Sequence, residues 1–325
     1  MVKGHGGPEI RSVTVDDPRV GRLVKFFQPK KITRLKVEIA ELGDLRPEEG
    51  GGLRKETLAR SAGLDAVALV LRGFAAPISP QCRPFEDLSG ELEALMQEFC
   101  IADLMPVENR LERLAKEGNL SSREAKLLVR IKTGLEDGRP IRRMGLDKEE
   151  LKTLSGYHFL TLSPLMVVTN LGSGCVEGLA YPGLAERCAE EGISYVESPS
   201  LAELETLEIP EDERTPFLAD LGITEPARKR FVRELFSLLR LATFYTVGEK
   251  EVRAWTVPEG TRAARTAGKI HSDMERGFIR AEVISVEECL ALGGMTKAKE
   301  AGKLRIEGKE YIVKDGEIFH VRFNI

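Results

Sequence analysis

Glycine–lysine pairs are the first feature of this sequence that bears on chemistry, because a loop of the form G-x-x-x-x-G-K-[ST] cradles nucleotide phosphates. In such a loop the backbone N–H groups and the lysine bind the phosphates, and the hydroxyl binds Mg²⁺. The chain has three such pairs, Gly268-Lys269, Gly302-Lys303 and Gly308-Lys309, which are followed by Ile, Leu and Glu. None has a glycine five residues before its own. The printed sequence therefore contains no phosphate-binding loop of this form.

A run of three glycines, Gly50-Gly51-Gly52, stands shortly before Arg54 and Lys55 and a predicted helix. A glycine-rich loop that leads into a helix can bind anions through its backbone N–H groups. The same composition fits a flexible loop without a ligand, and this is the interpretation we favour.

Histidine and cysteine form no recognisable metal or nucleophile motif. The spacing of the histidines is not that of metal ligands, and neither G-x-S-x-G nor a Cys–His arrangement is present. The cysteines are odd in number and lack a C-x-x-C pair, which is typical of free thiols in a reducing compartment. The four histidines are His5, His158, His271 and His320, and the five cysteines are Cys82, Cys100, Cys175, Cys188 and Cys289.

Two stretches are rich in lysine and arginine. In one interpretation these residues form the solvated face of a helix. In the other they form a patch that binds phosphate groups, and this binding would weaken steeply as the salt concentration rises. The first stretch, which contains no acidic residue, carries Arg19, Arg22, Lys25, Lys30, Lys31, Arg34 and Lys36, and the second is Arg139-Pro-Ile-Arg142-Arg143.

Composition is that of an ordinary globular protein, with 42% apolar residues, 31% charged residues and a formal net charge of −4 over 325 residues. This length predicts two or three domains. The net charge gives no general attraction to nucleic acid, so any such binding requires a local patch. No apolar run approaches membrane-spanning length, and we expect a cytoplasmic protein without membrane contact.

Alternating strand and helix patterns position the first of these residues. Apolar residues at every second position predict strands, and Asp16-Asp17-Pro18 predicts the start of a helix that ends before Pro29. The predicted order is strand Glu9–Val15, helix Arg19–Phe27, strand Leu35–Leu42, helix Leu53–Ala62 and strand Asp65–Leu71.

A helical insertion follows and the α/β pattern then resumes. Apolar residues recur at helical spacing from Leu88 to Gly118, and a capping-box spacing at Ser121–Glu124 opens a second helix, which predicts an antiparallel hairpin. Further predicted elements are a helix at Leu146–Leu154, strands at Leu165–Asn170 and Ile193–Glu197, a helix at Pro182–Glu191 and three more helices, the last at Ala227–Leu241.

The C-terminal part predicts a small mixed sheet packed around a helix. Strands are predicted at Glu251–Val257, Lys303–Glu307, Tyr311–Lys314 and Ile318–Phe323, and a short helix at Val286–Leu292. The run I-H-S-D-M-E-R-G-F-I-R-A-E-V-I lies within it, from Ile270 to Ile284.

That run closely resembles the C-terminal TGS-like, β-grasp domain of the YchF subfamily of Obg-like P-loop nucleotidases. The resemblance extends at lower similarity through most of the chain. It implies a G-type α/β domain interrupted by a helical hairpin, and a structural role in hydrogen bonding for His271 and His320.

The resemblance also implies a nucleotide site, and this sequence departs from it in three places. Relatives carry the P-loop ahead of a segment similar to the one that begins at Pro8 here. Their Mg²⁺-associated D-x-A-G corresponds to Ala40-Glu41-Leu42-Gly43, and their base-recognition N-x-x-E corresponds to Asn170-Leu171-Gly172-Ser173. These departures predict a decayed site rather than a clipped gene, with no cofactor, no metal and no catalytic residue. Asn170 and Ser173 are the residual candidates for base contact, although N-L-G-S-G is also typical of a turn.

The fold class expected is therefore α/β. A degenerate G-type sheet without its first strand comprises residues 1–87 and 157–241, a helical hairpin residues 88–156, and a TGS-like β-grasp domain residues 242–325. The expected function is that of a non-catalytic binding module associated with the ribosome, RNA or a translation factor. The alternative is an ATP- or GTP-binding nucleotidase, with Mg²⁺, that uses a residual or partner-completed site.

Cationic side chains are the candidates for partner contact. Those of the C-terminal domain stand beside Trp255 or Phe278, whose rings fit an RNA or protein contact and equally fit a core position. The candidates are Arg142, Arg143, Lys30, Lys31, Arg34, Lys250, Arg253, Arg276, Arg280 and Arg305.

The missing first strand has an architectural consequence. In the family's sheet it lies between the strands that correspond to Leu35–Leu42 and Asp65–Leu71. A buried gap would leave backbone N–H and C=O groups unpaired, at about 1–3 kcal/mol each. We therefore predict that these two strands pair directly and in parallel.

Overall fold

The computed structural model describes residues 10–43, 53–61, 63–74, 88–171 and 181–324. The chain forms two compact units. One contains Glu41–Leu235, and the other combines Glu9–Ala40 with Phe236–Ile325. The glycine run Gly50-Gly51-Gly52 and Ser173 lie outside the described residues.

A parallel three-stranded sheet forms the centre of the first unit. Its strands are β4 (Val67–Gly73), β5 (Leu165–Leu171) and β6 (Ser194–Ser198), in that order across the sheet. Leu69 is opposite Val167, which is opposite Tyr195. The central strand β5 is buried at all positions but Asn170, as its nearly continuous apolar sequence predicts.

The predicted helical hairpin is present in the first unit. Helix α3 (Leu88–Lys116) packs on α4 (Arg123–Glu136), which begins where Ser122 accepts a hydrogen bond from the Ala125 N–H. Apolar residues from both helices, including Val107 and Ile131, form one core cluster. Helix α5 (Lys148–Leu154) follows and begins at a capping box.

Five further α-helices lie among the described residues between residues 40 and 241, and the last of them extends past the end of the first unit at Leu235. Their bounds are α2 Lys55–Ser61, α6 Pro182–Glu190, α7 Ser200–Glu205, α8 Glu211–Asp220 and α9 Ala227–Leu238. None of the described helices is both long enough and apolar enough to cross a membrane.

Asp103 connects the helical hairpin by hydrogen bonds to Leu160 and Thr161, which precede β5 in the chain. Its side chain is buried on α3 and accepts hydrogen bonds from the Leu160 N–H at 2.9 Å, the Thr161 N–H at 2.7 Å and the Thr161 hydroxyl at 2.6 Å. These bonds satisfy three donors that burial would otherwise leave unpaired.

The second unit contains a mixed six-stranded sheet with helices on both faces. Its order across the sheet is β10-β9-β11-β7-β8-β2. The strand bounds are β2 Lys31–Thr33, β7 Leu241–Thr246, β8 Glu251–Pro258, β9 Phe278–Ser285, β10 Arg305–Glu307 and β11 Glu317–Phe323. The C-terminal helices are α10 Ala263–Ile270, α11 Ser272–Arg276, α12 Val286–Ala291 and α13 Met295–Glu300.

The N-terminal segment is part of this second unit. It forms β1 (Ile10–Thr14), α1 (Pro18–Phe27), β2 and β3 (Lys36–Ala40). Strand β2 pairs in parallel with β8, and Val20 and Leu23 of α1 are buried in the same core cluster as Tyr245. The buried Asp17 accepts hydrogen bonds from the Tyr245 hydroxyl and from Arg19.

The predicted direct pairing of Leu35–Leu42 with Asp65–Leu71 is wrong. Strand β3 pairs antiparallel with β1, while β4 pairs only with β5 among the described residues. The physical reason is that β2 and α1 hold the segment on the C-terminal sheet. The same contacts place Glu9–Ala40 with the C-terminal unit, whereas the sequence assigned it to the G-type domain.

Two details of the C-terminal prediction also differ. The expected strand at Tyr311–Lys314 is a single bridge between Ile312 and Arg262. Strand β10 pairs with β9, so it forms no hairpin with the segment that follows it.

We expect Asp103 to make the stability of the fold depend on pH. Burial raises the pKa of Asp103 from 3.8 to about 6, although hydrogen bonds from Thr161 and Leu160 lower it. A carboxyl group with a raised pKa binds its proton more tightly in the folded state, so the free energy of unfolding increases as the pH falls through about 6. Between pH 7.5 and pH 5 this increase is about 1 kcal/mol.

Chemical denaturation followed by circular dichroism at these two pH values checks the expectation. Asp103→Asn removes the titration, and Asp137→Asn at an exposed position is the matched control. The increase in the free energy of unfolding between pH 7.5 and pH 5 should disappear in Asp103→Asn and remain in Asp137→Asn. The same pH dependence in wild-type and Asp103→Asn protein would contradict the assignment.

Candidate functional site

The carboxyl edge of the parallel sheet is the first candidate site, because ligands bind at this edge in open α/β sheets. Asn170 lies there at the end of β5, in register with Arg72 of β4 and Ser198 of β6. The Ser198 hydroxyl lies 2.8 Å from that of Ser200. The fold thus brings a second polar residue, Ser198, beside Asn170, and the sequence reasoning missed it because strand register is required to pair them.

The side chains of Tyr181 and Tyr195 occupy part of the carboxyl edge of the parallel sheet. The Tyr181 hydroxyl donates to the Gly73 carbonyl at 2.8 Å, and the buried Glu197 accepts from the Tyr195 hydroxyl at 3.0 Å. A Cβ at Gly73 would lie only 2.8 Å from Thr169 Cγ2 and 3.0 Å from Tyr181 Cε2, so packing requires glycine there. Burial raises the pKa of Tyr195, and its phenol therefore stays protonated.

The segment Ala40-Glu41-Leu42-Gly43 begins at the last residue of β3. Glu41 is exposed there, and Gly43 has a φ of +89°, a backbone conformation that favours glycine. No group of three or more His, Cys, Asp or Glu in the described part of the chain is arranged to hold a metal ion. The structure thus supplies no ready set of carboxylates for Mg²⁺ within the described ranges.

The second candidate site is an edge of the six-stranded sheet where the first basic stretch lies beside Lys250. The backbone N–H of Lys30 donates to the Glu249 carbonyl at 3.0 Å, and that of Lys31 donates to the Lys250 carbonyl at 3.1 Å. We call this surface the β2 edge and define it by Lys30, Lys31, Arg34 and Lys250, all of which are exposed.

Acidic neighbours neutralise the β2 edge only in part. Lys31 Nζ lies 3.3 Å from Glu251, and Arg34 lies 3.9 Å from Asp16. Neither Lys30 nor Lys250 forms an ion pair with any residue that the structure describes. Excess positive charge therefore remains at this strand.

Arg253 extends the β2 edge to an aromatic ring. Its guanidinium lies 3.8 Å from the centroid of the Trp255 ring, and Trp255 Nε1 donates to the Thr246 hydroxyl at 3.0 Å. The other side of the indole packs in the C-terminal core, stacked on Phe244 at 6.2 Å between centroids. Trp255 is thus a half-buried core residue that Arg253 covers.

Two further cationic candidates, Arg142 and Arg143, make contacts within the first unit. Arg142 is half-buried, and its guanidinium contacts the Thr161 carbonyl at 3.4 Å and Met96 Sδ at 3.1 Å. Arg143 forms an ion pair with Glu191 at 2.8 Å. The predicted patch at Arg142 and Arg143 is therefore split into a packed arginine and a paired one.

Three candidates remain in the C-terminal unit. Arg276 pairs with Asp273, and Arg305 pairs with the buried Glu317. Arg280 is exposed on β9 opposite Arg322 of β11, a residue that the sequence reasoning did not select. Arg322 can be identified only from the register of β9 and β11, and the periodicity of the sequence alone does not determine that register.

The fold and these sites define a class of protein: an α/β protein with an inserted helical hairpin and a C-terminal mixed sheet. A family model for the YchF-GTPase C-terminal domain, described as a protein of unknown function (DUF933), matches residues 241–324. The chain belongs to the YchF family. This assignment rests on relatives that are more than 30% identical and align with nearly the whole chain.

Two of these relatives are named "Ribosome-binding ATPase YchF". The Pasteurella multocida protein is 37% identical over 98% of this chain and 90% of its own length, and the Bacillus subtilis protein is 35% identical with the same coverage. The Schizosaccharomyces pombe YchF GTPase shares the fold, with a TM-score of 0.83 and 24% identity over 98% of this chain and 88% of that one.

We expect charge reversal at Arg142 and at Arg143 to have different effects on stability. Arg142→Glu places a carboxylate inside the packed region near Asp103 and Glu191 and should lower the free energy of unfolding by about 3 kcal/mol. Arg143→Glu acts at an exposed side chain and should cost about 1 kcal/mol or less.

Chemical denaturation at pH 7.5 measures both values. Arg123→Glu, at an exposed arginine near the start of α4, is the control for charge reversal without burial. Equal losses in the Arg142 and Arg143 variants would show that Arg142 is not packed as described.

Proposed function

We propose that this protein is a ribosome-associated member of the YchF family that contacts RNA through the β2 edge and does not hydrolyse nucleotide by itself. The observation that carries the proposal is the position of Lys30, Lys31 and Arg34 beside Lys250 at one sheet edge, although more than 200 residues separate them from Lys250 in the chain. An assembly of this kind places the protein in the cytoplasm.

Electrostatics supports a phosphate-bearing partner. The chain as a whole has a formal net charge of −4, so attraction to RNA must come from a local surface. Lysines that neutralise phosphates release counterions, which makes such binding strong at low salt and weak at high salt. The printed names of the bacterial relatives state that those proteins bind ribosomes.

Two departures from the family's nucleotide motifs support the absence of hydrolysis. Ala40-Glu41-Leu42-Gly43 lacks the switch aspartate, and Asn170-Leu171-Gly172-Ser173 lacks the terminal carboxylate. Phosphoryl transfer is accelerated mainly by positioned positive charge around the phosphates. The loss of the switch aspartate removes a carboxylate that would help to hold Mg²⁺ beside the developing charge.

A second candidate function is ATP or GTP binding at a residual site. The observation in its favour is the adjacency of Asn170 and Ser198 at the carboxyl edge of the sheet, where nucleotides bind in this class of fold. Relatives are named ATPases. Under this candidate, the phosphates and Mg²⁺ are held by groups that a partner supplies.

We expect loss of charge at the β2 edge to weaken ribosome association. A variant with Lys30→Gln, Lys31→Gln and Lys250→Gln should bind ribosomal particles about tenfold less tightly at low salt, with a shallower salt dependence, because fewer counterions are released. Co-sedimentation over a salt series measures both quantities.

A charge-matched control is available on the helical hairpin and α5. Lys116→Gln, Lys126→Gln and Lys152→Gln remove three exposed lysines and should leave association unchanged. Loss of association in this control, with full association in the β2-edge variant, would place the interface on the hairpin and refute the proposal.

We expect no hydrolysis of ATP or GTP above background by the purified protein with Mg²⁺. Phosphate release measures turnover, and titration calorimetry with Mg²⁺-ATP and Mg²⁺-GTP measures binding. Turnover that follows the protein through purification and survives Asn170→Ala would reveal an unrecognised site. Tight binding that Asn170→Ala abolishes would favour the second candidate.

A further inference from the structure

Two arginines face each other across the C-terminal sheet. Strands β9 and β11 are antiparallel, and their register places Arg280 directly opposite Arg322. Directly opposite residues have Cβ atoms about 5 Å apart on the same face of the sheet, and like charges there destabilise the pairing. We call these two residues the arginine pair.

The surroundings of the arginine pair neutralise one of its two charges. In the adjacent position Glu282 is opposite His320, and Glu282 Oε2 lies 3.2 Å from Arg322 Nη2 and 3.8 Å from His320 Nδ1. Burial and the neighbouring Arg322 lower the pKa of His320, so the imidazole is neutral at pH 7. A net positive charge therefore remains.

Arg280 carries that unbalanced charge. Its side chain is exposed and has no hydrogen-bond or ion-pair partner among the residues that the structure describes. Pairing of β9 with β11 holds the backbone of Arg280 opposite that of Arg322. An anion between the two guanidinium groups would relieve their repulsion.

The exposed neighbours fit a nucleotide rather than a lone ion. Ile306 of β10 is opposite Glu282 and is 63% exposed, and His320 of β11 is opposite Glu282 on the other side of β9. An apolar side chain and an imidazole beside two arginines offer a surface for a ribose or a base next to the phosphate contact.

We propose that the arginine pair is a phosphate-contact site for a single-stranded segment of RNA. A bridging phosphate removes the repulsion between Arg280 and Arg322, and arginine binds phosphate with two parallel hydrogen bonds. The site is separate from the β2 edge, since three strands (β11, β7 and β8) lie between β9 and β2 in the sheet. The proposal deepens the proposed function, on which it rests for RNA as the partner.

Arg280→Gln tests the site, and Arg262→Gln is the matched control. Arg262 is an exposed arginine of the same unit that pairs with Glu310 at 2.7 Å, so both variants lose one positive charge. Binding of a fluorescent twelve-nucleotide oligouridylate is measured by anisotropy over a salt series. Arg280→Gln should weaken binding about three- to tenfold and lower the slope of log affinity against log salt by about 0.7, the value for one phosphate contact. Arg262→Gln should change neither quantity.

Thermal stability distinguishes a binding role from a structural one. Because Arg280→Gln relieves a like-charge contact, its Tm should equal or exceed that of the wild-type protein. A clear fall in Tm together with weaker binding would show that Arg280 supports the fold, and would overturn the proposal.

Other outcomes separate this proposal from the proposed function. Wild-type affinity and salt slope in Arg280→Gln would overturn the arginine-pair site even if the β2-edge variant fails to bind ribosomes. Oligouridylate binding that depends on Arg280, in a protein that does not associate with ribosomes, would support the site and refute the proposed function. Tighter binding to an acidic peptide of equal length than to oligouridylate would assign the pair to a protein partner instead.

Discussion

A buried carboxylate, that of Asp17, holds the N-terminal segment on the C-terminal sheet. Burial raises the pKa of Asp17, but hydrogen bonds from Arg19 and Tyr245 outweigh it and keep the pKa below its ordinary value. Arg19 also pairs with Asp315, whose carboxylate accepts from the Thr243 N–H at 2.8 Å. Removal of Arg19 or Tyr245 would leave the buried carboxylate of Asp17 with fewer partners and would weaken the attachment of α1 to the sheet.

The position of α1 determines where the basic residues of the N-terminal stretch lie. The helix ends at Phe27, Gln28 adopts a left-handed backbone conformation, and β2 then runs parallel to β8. The lysines that follow the helix are thereby brought to the sheet edge beside Lys250. The contacts of Asp17 with Arg19 and Tyr245 therefore determine where the lysines of the β2 edge lie. None of these three residues belongs to the β2 edge.

The candidate nucleotide site depends on a different set of contacts. Three parallel strands bring Asn170 and Ser198 to one edge, as nucleotide-binding sheets do. Tyr181 and Thr169 fill the space beside Gly73 on the neighbouring strand. The two units consequently carry different chemistry: a polar strand edge in the first, and cationic surfaces on the sheet of the second.

The sequence by itself determined the elements and the family. Helical spacing from Leu88, the capping-box spacing at Ser121–Glu124 and the apolar run of β5 are local patterns, and these three elements are present because their own side chains stabilise them. Only the tertiary structure decided which strands pair, because alternation specifies the buried face of a strand but not its neighbour. Hence β3 pairs with β1 rather than β4, Arg142 is packed while Lys30 is exposed, and Arg280 faces Arg322. Each of these outcomes depends on contacts between residues far apart in the chain, which no local pattern encodes.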